Sequence, residues 1–70
     1  MNKYEMILYW SAEDGTYIVE VPELPGCIAH GSTQFEALSK ANEATLLWID
    51  TARETGRTVP SPKGRKLAYA

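Results

Sequence analysis

The chain has little of the chemistry that usually marks a catalytic or metal-binding protein. It carries one cysteine and one histidine in 70 residues. One cysteine excludes an internal disulfide, and a single Cys–His pair falls short of the four ligands of a structural zinc site. Cys27 and His30 are three residues apart, and an odd offset places side chains on opposite faces of an extended strand. The reading is a half-buried thiol and a solvated or hydrogen-bonded imidazole, with no metal and no cofactor. Gly15, Gly26, Gly31, Gly56 and Gly64 are scattered and form no phosphate-binding loop. No G-x-S-x-G motif is present, and Ser11, Ser32, Ser39 and Ser61 have no evident base. No stretch approaches the ~20 apolar residues of a membrane span. The N-terminal "MNKYEMILYWSAEDG" has too short an apolar run for a signal peptide, and no cleavage site follows it. A lone cysteine fits a reducing compartment, so a cytoplasmic protein is expected. The net charge is −2, whereas nucleic-acid-binding domains are usually basic.

What is present suits a small folded domain. Apolar residues make up 44 % and charged residues 23 %, a globular balance. The length allows one domain, expected to span residues 1–70. A chain this short buries only about 60 % of its unfolded surface, and such folds often gain stability by oligomerising. Self-association or a permanent partner is therefore expected.

"YEMILYW", residues 4–10, alternates as a strand, with Tyr4, Met6, Leu8 and Trp10 on one side and Glu5, Ile7 and Tyr9 on the other. Asp14-Gly15 is a hairpin signal, and "TYIVEV" reads as a second, antiparallel strand. Pro22 closes it, having no N–H for a ladder. Leu24-Pro25-Gly26-Cys27 has the pattern of a type II turn: Pro25 presets φ and Gly26 supplies the positive φ. "CIAHG" leaves that turn as a short third strand. Thr33 and Glu36 form a T-x-x-E capping box that opens a helix. Leu38, Ala41, Thr45, Trp48 and Ala52 follow one face of it, flanked by Phe35, Ala37, Ala44 and Ile49. Gly56 is its natural stop. Residues 57–70 read as a proline-containing linker, with "RKLAYA" as a short last strand. The predicted fold is α+β, a small antiparallel sheet with one long helix on one face, in the order β-β-β-α-β.

The carboxylates show no converging set. Glu13 and Asp14 lie in a turn, Glu20 on a strand, Glu36 in the cap, and Glu43 and Asp50 on the polar side of the helix. A reduced nuclease built on Glu13, Asp14, Glu43 or Asp50 would need them to meet around a metal. The chain therefore reads as non-enzymatic. Arg57, Lys63, Arg65 and Lys66 place four cations in ten residues, candidates for nucleic-acid contact. No aromatic platform or recognition helix accompanies them.

The most informative feature is an imbalance between the sheet's two sides. One helix covers one sheet face. If Val19 and its neighbours face the helix, Ile18 lies on the open face, joined by Ile7 and Tyr9. Ile7, Tyr9 and Ile18 are candidates for a partner or oligomer interface, with Leu67 and Tyr69 of the last segment. Leu24, Pro25 and Gly26 are assigned a structural role in the corner, and Thr33 and Glu36 the helix cap.

The run "DGTYIVEVPELPGCIAHGSTQFEALSKANEAT", residues 14–45, resembles the N-terminal domain of HicB-family antitoxins. The D-G hairpin, the "PELPGC" corner, "HGST" and the "EAL…A" helix carry the resemblance, which with the first strand spans roughly residues 4–52. It implies a partial RNase H-like fold without the nuclease carboxylates. It also implies binding to a HicA-type RNA-cleaving toxin, blocking of its catalytic surface, and homodimers or larger assemblies. Longer members repress their operon through a C-terminal DNA-binding domain. Fourteen residues follow Gly56, so no such domain and no operator binding are expected. The alternative reading is an orphan HicB-like oligomeric regulator with weak nucleic-acid contact through the basic tail.

Overall fold

The computed structural model describes residues 2–64. Strands β1 (Ile7–Ser11), β2 (Thr16–Glu20) and β3 (Ile28–Gly31) are followed by one helix, α1 (Gln34–Glu54). The strands form an antiparallel sheet in the order β1-β2-β3, the α+β arrangement that the sequence predicts. The expected final strand falls in residues 65–70, outside the described residues.

β1 begins three residues later than its alternation predicts. The register pairs Ile7 with Glu20 and Leu8 with Val19, so two further steps would set Glu5 opposite Pro22. Proline has no N–H to offer a ladder, and the pairing stops. Between β1 and β2 the Gly15 N–H donates to the Ser11 carbonyl at 2.8 Å, and Gly15 takes φ +65°. The loop is thus four residues, longer than the two-residue turn that Asp14-Gly15 most often makes.

The corner between β2 and β3 is a pair of linked turns. The Leu24 N–H donates to the Val21 carbonyl at 3.0 Å, and the Cys27 N–H to the Leu24 carbonyl at 2.9 Å. Gly26 has φ +82°, the value that a type II turn requires at its third position. The Val21 N–H reaches the Cys27 carbonyl at 3.0 Å and closes the loop. Leu24, at its tip, is fully buried.

The N-cap of α1 works from both sides. The Thr33 hydroxyl accepts from the Glu36 N–H at 3.0 Å. The Glu36 carboxylate accepts from the Ser32 N–H at 2.8 Å, one residue earlier than the Thr33 N–H of the expected capping box. The helix ends in a Schellman arrangement: Gly56 N–H to the Arg53 carbonyl and Arg57 N–H to the Ala52 carbonyl, with Gly56 at φ +74°.

The core lies between α1 and one sheet face. Val19, Ala37 and Ala41 are buried there, with Met6, Leu8, Tyr17, Ala29 and Leu38 packed around them. A second cluster joins Val21, Leu24 and Cys27 to Tyr4, Met6, Ala44 and Trp48. Small side chains let the helix approach closely. At Gly31 an added Cβ would lie 2.6 Å from the Ala37 backbone nitrogen. Buried Thr45 donates its hydroxyl to the Ala41 carbonyl at 2.8 Å, so that hydroxyl is not stranded. Phe35, expected beside the core face, is 81 % exposed. It precedes Ala37 by two residues, about 200° around a helix of ~3.6 residues per turn, and points away from the sheet.

Candidate functional site: the open face of the sheet

Antiparallel pairing sorts the side chains into two sets. Leu8, Val19 and Ala29 form one cross-strand row under the helix. The next rows, Ile7–Glu20–Ile28 and Tyr9–Ile18–His30, point the other way. Ile7 is 42 % exposed, Tyr9 39 % and Ile28 56 %, and Ile18 is half-buried between its neighbours. Among the described residues, no second layer covers this side.

Ile7, Tyr9 and Ile18 thus stand together on one surface, and Ile28 joins them. Sequence reading missed Ile28. Its signal was the parity of β3: if Cys27 faces the core, Ile28 faces away. The apolar patch has a polar rim. The Tyr9 hydroxyl donates to a Glu20 carboxylate oxygen at 2.6 Å. That bond holds the proton and raises the Tyr9 pKa above the ordinary tyrosine value, with desolvation and the charges of Glu20 and Asp14 adding to it. His30 sits exposed beside Ile18. The patch offers shape and apolar area with a few hydrogen-bonding groups, a composition suited to binding a protein.

The model of the HicB-like antitoxins of bacterial toxin–antitoxin systems matches residues 4–68. The chain belongs to this family. It is 35 % identical over 65 residues to a UPF0150 protein of Thermoplasma acidophilum, covering 93 % of both chains. It is 36 % identical over 58 residues to a UPF0150 protein of Synechocystis, covering 83 % of this chain and 78 % of the relative. No solved structure gives a significant match. Membership in an antitoxin family supports a toxin–antitoxin role, a toxin partner in general, and a regulatory rather than catalytic protein. Among the described residues, no helix is long and apolar enough to cross a membrane.

The other candidate residues of this HicB-like chain are dispersed. Cys27 is buried, not half-buried: the corner folds it under α1, with its Sγ 3.8 Å from the Thr45 hydroxyl. His30 lies on the opposite face, so the two do not converge. Asp14 accepts from the Ser11 hydroxyl at 3.0 Å in the β1–β2 loop, next to exposed Glu13. Glu43 and Asp50 are exposed on α1. Among the described residues, no three His, Cys, Asp or Glu side chains gather to hold a metal. Leu24, Pro25 and Gly26 make the corner, and the Pro25 carbonyl accepts from the Trp48 indole N–H at 2.9 Å. Arg57 lies 5.2 Å above the Trp48 ring centre, a cation–π contact that ties the helix end to this corner. The Lys63 backbone N–H donates to Glu23 at 3.1 Å. Arg65, Lys66, Leu67 and Tyr69 lie outside the described residues.

Proposed function

We propose that the chain is a non-catalytic antitoxin that binds a HicA-type RNA-cleaving toxin through the open sheet face and blocks it in the cytoplasm. The observation that carries this reading is the contiguous apolar patch of Ile7, Tyr9, Ile18 and Ile28 with no covering layer among the described residues. A sheet face of this composition gains free energy by being covered, about 25 cal/mol per Å² of apolar surface removed from water. The toxin's catalytic surface is the cover on this reading. In its absence, a second copy of the chain takes the same place and gives the homodimer or larger assembly.

The test is co-expression with the product of any small basic reading frame beside its gene, followed by size exclusion. A joint peak is expected, lost on Ile7→Asp or Ile28→Asp while the far-UV circular dichroism spectrum stays unchanged. A wild-type chain that never co-elutes with that product overturns toxin binding. A joint peak that survives both substitutions moves the contact to another surface.

A further inference from the structure

Among the described residues β3 is an edge strand, and its outer side carries unused backbone groups. The Val21 N–H donates to the Cys27 carbonyl across the β2–β3 ladder. In an antiparallel ladder the N–H and C=O of one residue point to the same neighbour, and the direction alternates along the strand. Cys27, Ala29 and Gly31 therefore bond β2, while the N–H and C=O groups of Ile28 and His30 point outward. No lysine, proline or bulge blunts this edge, a defence that unpaired edges usually carry. Two apolar side chains flank it without cover. Ile28 stands exposed on the open-face side, and Leu47, 67 % exposed, on the helix side.

A groove of about 300 Å³ lies between this edge and α1, lined by Cys27, Ile28, Ala44, Leu47 and Trp48. Arg57 lines it too, with its guanidinium held 5.2 Å over the Trp48 ring. Among the described residues no carboxylate pairs with this cation. The groove thus offers apolar walls and one uncompensated positive charge beside an open strand edge. The position of α1 decides what can fill it. The Ala37 backbone lies against Gly31, Ala41 packs in one cluster with Ala29, and the Thr45 hydroxyl is 3.8 Å from the Cys27 Sγ. The helix therefore runs along β3, directly above it. A second copy paired edge to edge would bring its own α1 within about one strand spacing, ~4.8 Å. Packed helices need roughly 8–10 Å between their axes. That clash excludes a second copy from this edge, whereas a single extended segment with nothing above it fits.

We propose that β3 and this groove bind an extended segment of a partner polypeptide, added antiparallel to β3, with apolar side chains followed by a carboxylate that meets Arg57. Strand addition gives the outward groups of Ile28 and His30 main-chain hydrogen bonds, and pockets for alternate side chains give specificity. Successive side chains of the added strand fall on opposite faces. One neighbours Ile28, and the next lies under Leu47. β3 runs from Ile28 to Gly31, so an antiparallel segment leaves the edge past Ile28, towards the groove and Arg57. That direction places the carboxylate after the apolar residues. Leu47 and Arg57 lie off the open face, and the inference does not rest on the toxin contact.

NMR titration of the full chain with the synthetic peptide Thr-Val-Thr-Val-Leu-Asp, acetylated and amidated at its ends, tests it. The Ile28 and His30 amides are expected to shift and to exchange slowly once the peptide is bound. Arg57→Gln is expected to weaken binding by about fivefold. Replacing the peptide's Asp by Asn has the same effect on the unaltered chain and none on that variant. Leu47→Asp is expected to weaken binding by roughly tenfold or more. Both residues are exposed, so an unchanged circular dichroism spectrum keeps the variants comparable. A peptide that does not bind at millimolar concentration overturns the site. Binding that shifts Leu8 and Trp10 in place of Ile28 and His30 belongs to the other edge and overturns the assignment. Binding indifferent to both Arg57→Gln and the Asn peptide overturns the charge contact. Slow Ile28 and His30 amides in the peptide-free chain, lost on dilution in step with dissociation measured by sedimentation, assign the edge to a second copy and overturn the proposal.

Discussion

The two turns that join the three strands are built on opposite plans. Residues 12–15 are all exposed, and the polar pair Ser11–Asp14 organises them locally, with the Asp14 N–H also donating to the Ser11 hydroxyl at 3.2 Å. The corner at residues 22–26 turns inward instead. Its central Leu24 is fully buried among Val21, Cys27, Ala44 and Trp48, and Trp48, with Arg57 stacked on its ring, holds the corner from the helix. The first turn only connects strands. The second forms part of the core and fixes the far end of α1. In a domain this small there is little core to spare, so a loop that contributes a leucine to it carries stability that the other loop does not.

Leu24→Ala gives the sharpest break of that comparison. Removing a fully buried leucine is expected to cost about 2–5 kcal/mol, read as a lower urea midpoint. A loss within the ordinary surface range would mean that the corner is not part of the core. Gly31→Ala, at the other end of β3, comes next. Gly31 has no positive φ, but its new Cβ would press on the Ala37 and Glu36 backbone at 2.6 and 2.9 Å. Overpacking of this kind costs about 1–3 kcal/mol, and thermal melting would report it. Gly15→Ala and Gly26→Ala then compare the two turns at matched positions. Both glycines have positive φ and nothing within 4 Å of an added Cβ. Each substitution is expected to cost about 1–2 kcal/mol from the left-handed backbone alone. A much larger loss at Gly26 would show that the buried turn transmits strain to the core. The smallest effect belongs to Asp14→Ala, within ~0.5 kcal/mol for an exposed side chain. Parallel denaturation curves with an unchanged midpoint would confirm it.

Local signals in the chain were legible where a few neighbouring residues suffice. Pro25-Gly26 announced the turn that the Cys27–Leu24 hydrogen bond closes. Thr33 and Gly56 marked the ends of α1. The face shared by Ile7, Tyr9 and Ile18 followed from alternation, since one helix cannot cover both sides of a sheet. Three readings needed information from further away. The start of β1 depends on its register against Pro22, fifteen residues beyond Ile7. The second half of the cap went to Ser32 because the chain before Thr33 presents that N–H to Glu36. Phe35 fits the apolar composition of the helix but falls outside the arc that the sheet can reach.

The sequence by itself determined the order of the four described elements, the two turn glycines and the helix ends. Each rests on backbone preferences and hydrogen bonds between residues a few positions apart. Only the tertiary structure decided that Ile28 completes the open patch and that Cys27 is buried beneath α1. It alone also placed Arg57 on Trp48, itself bonded to Pro25 twenty-three positions earlier. These outcomes depend on strand register and on the line the helix takes across the sheet, which the whole packed core sets together.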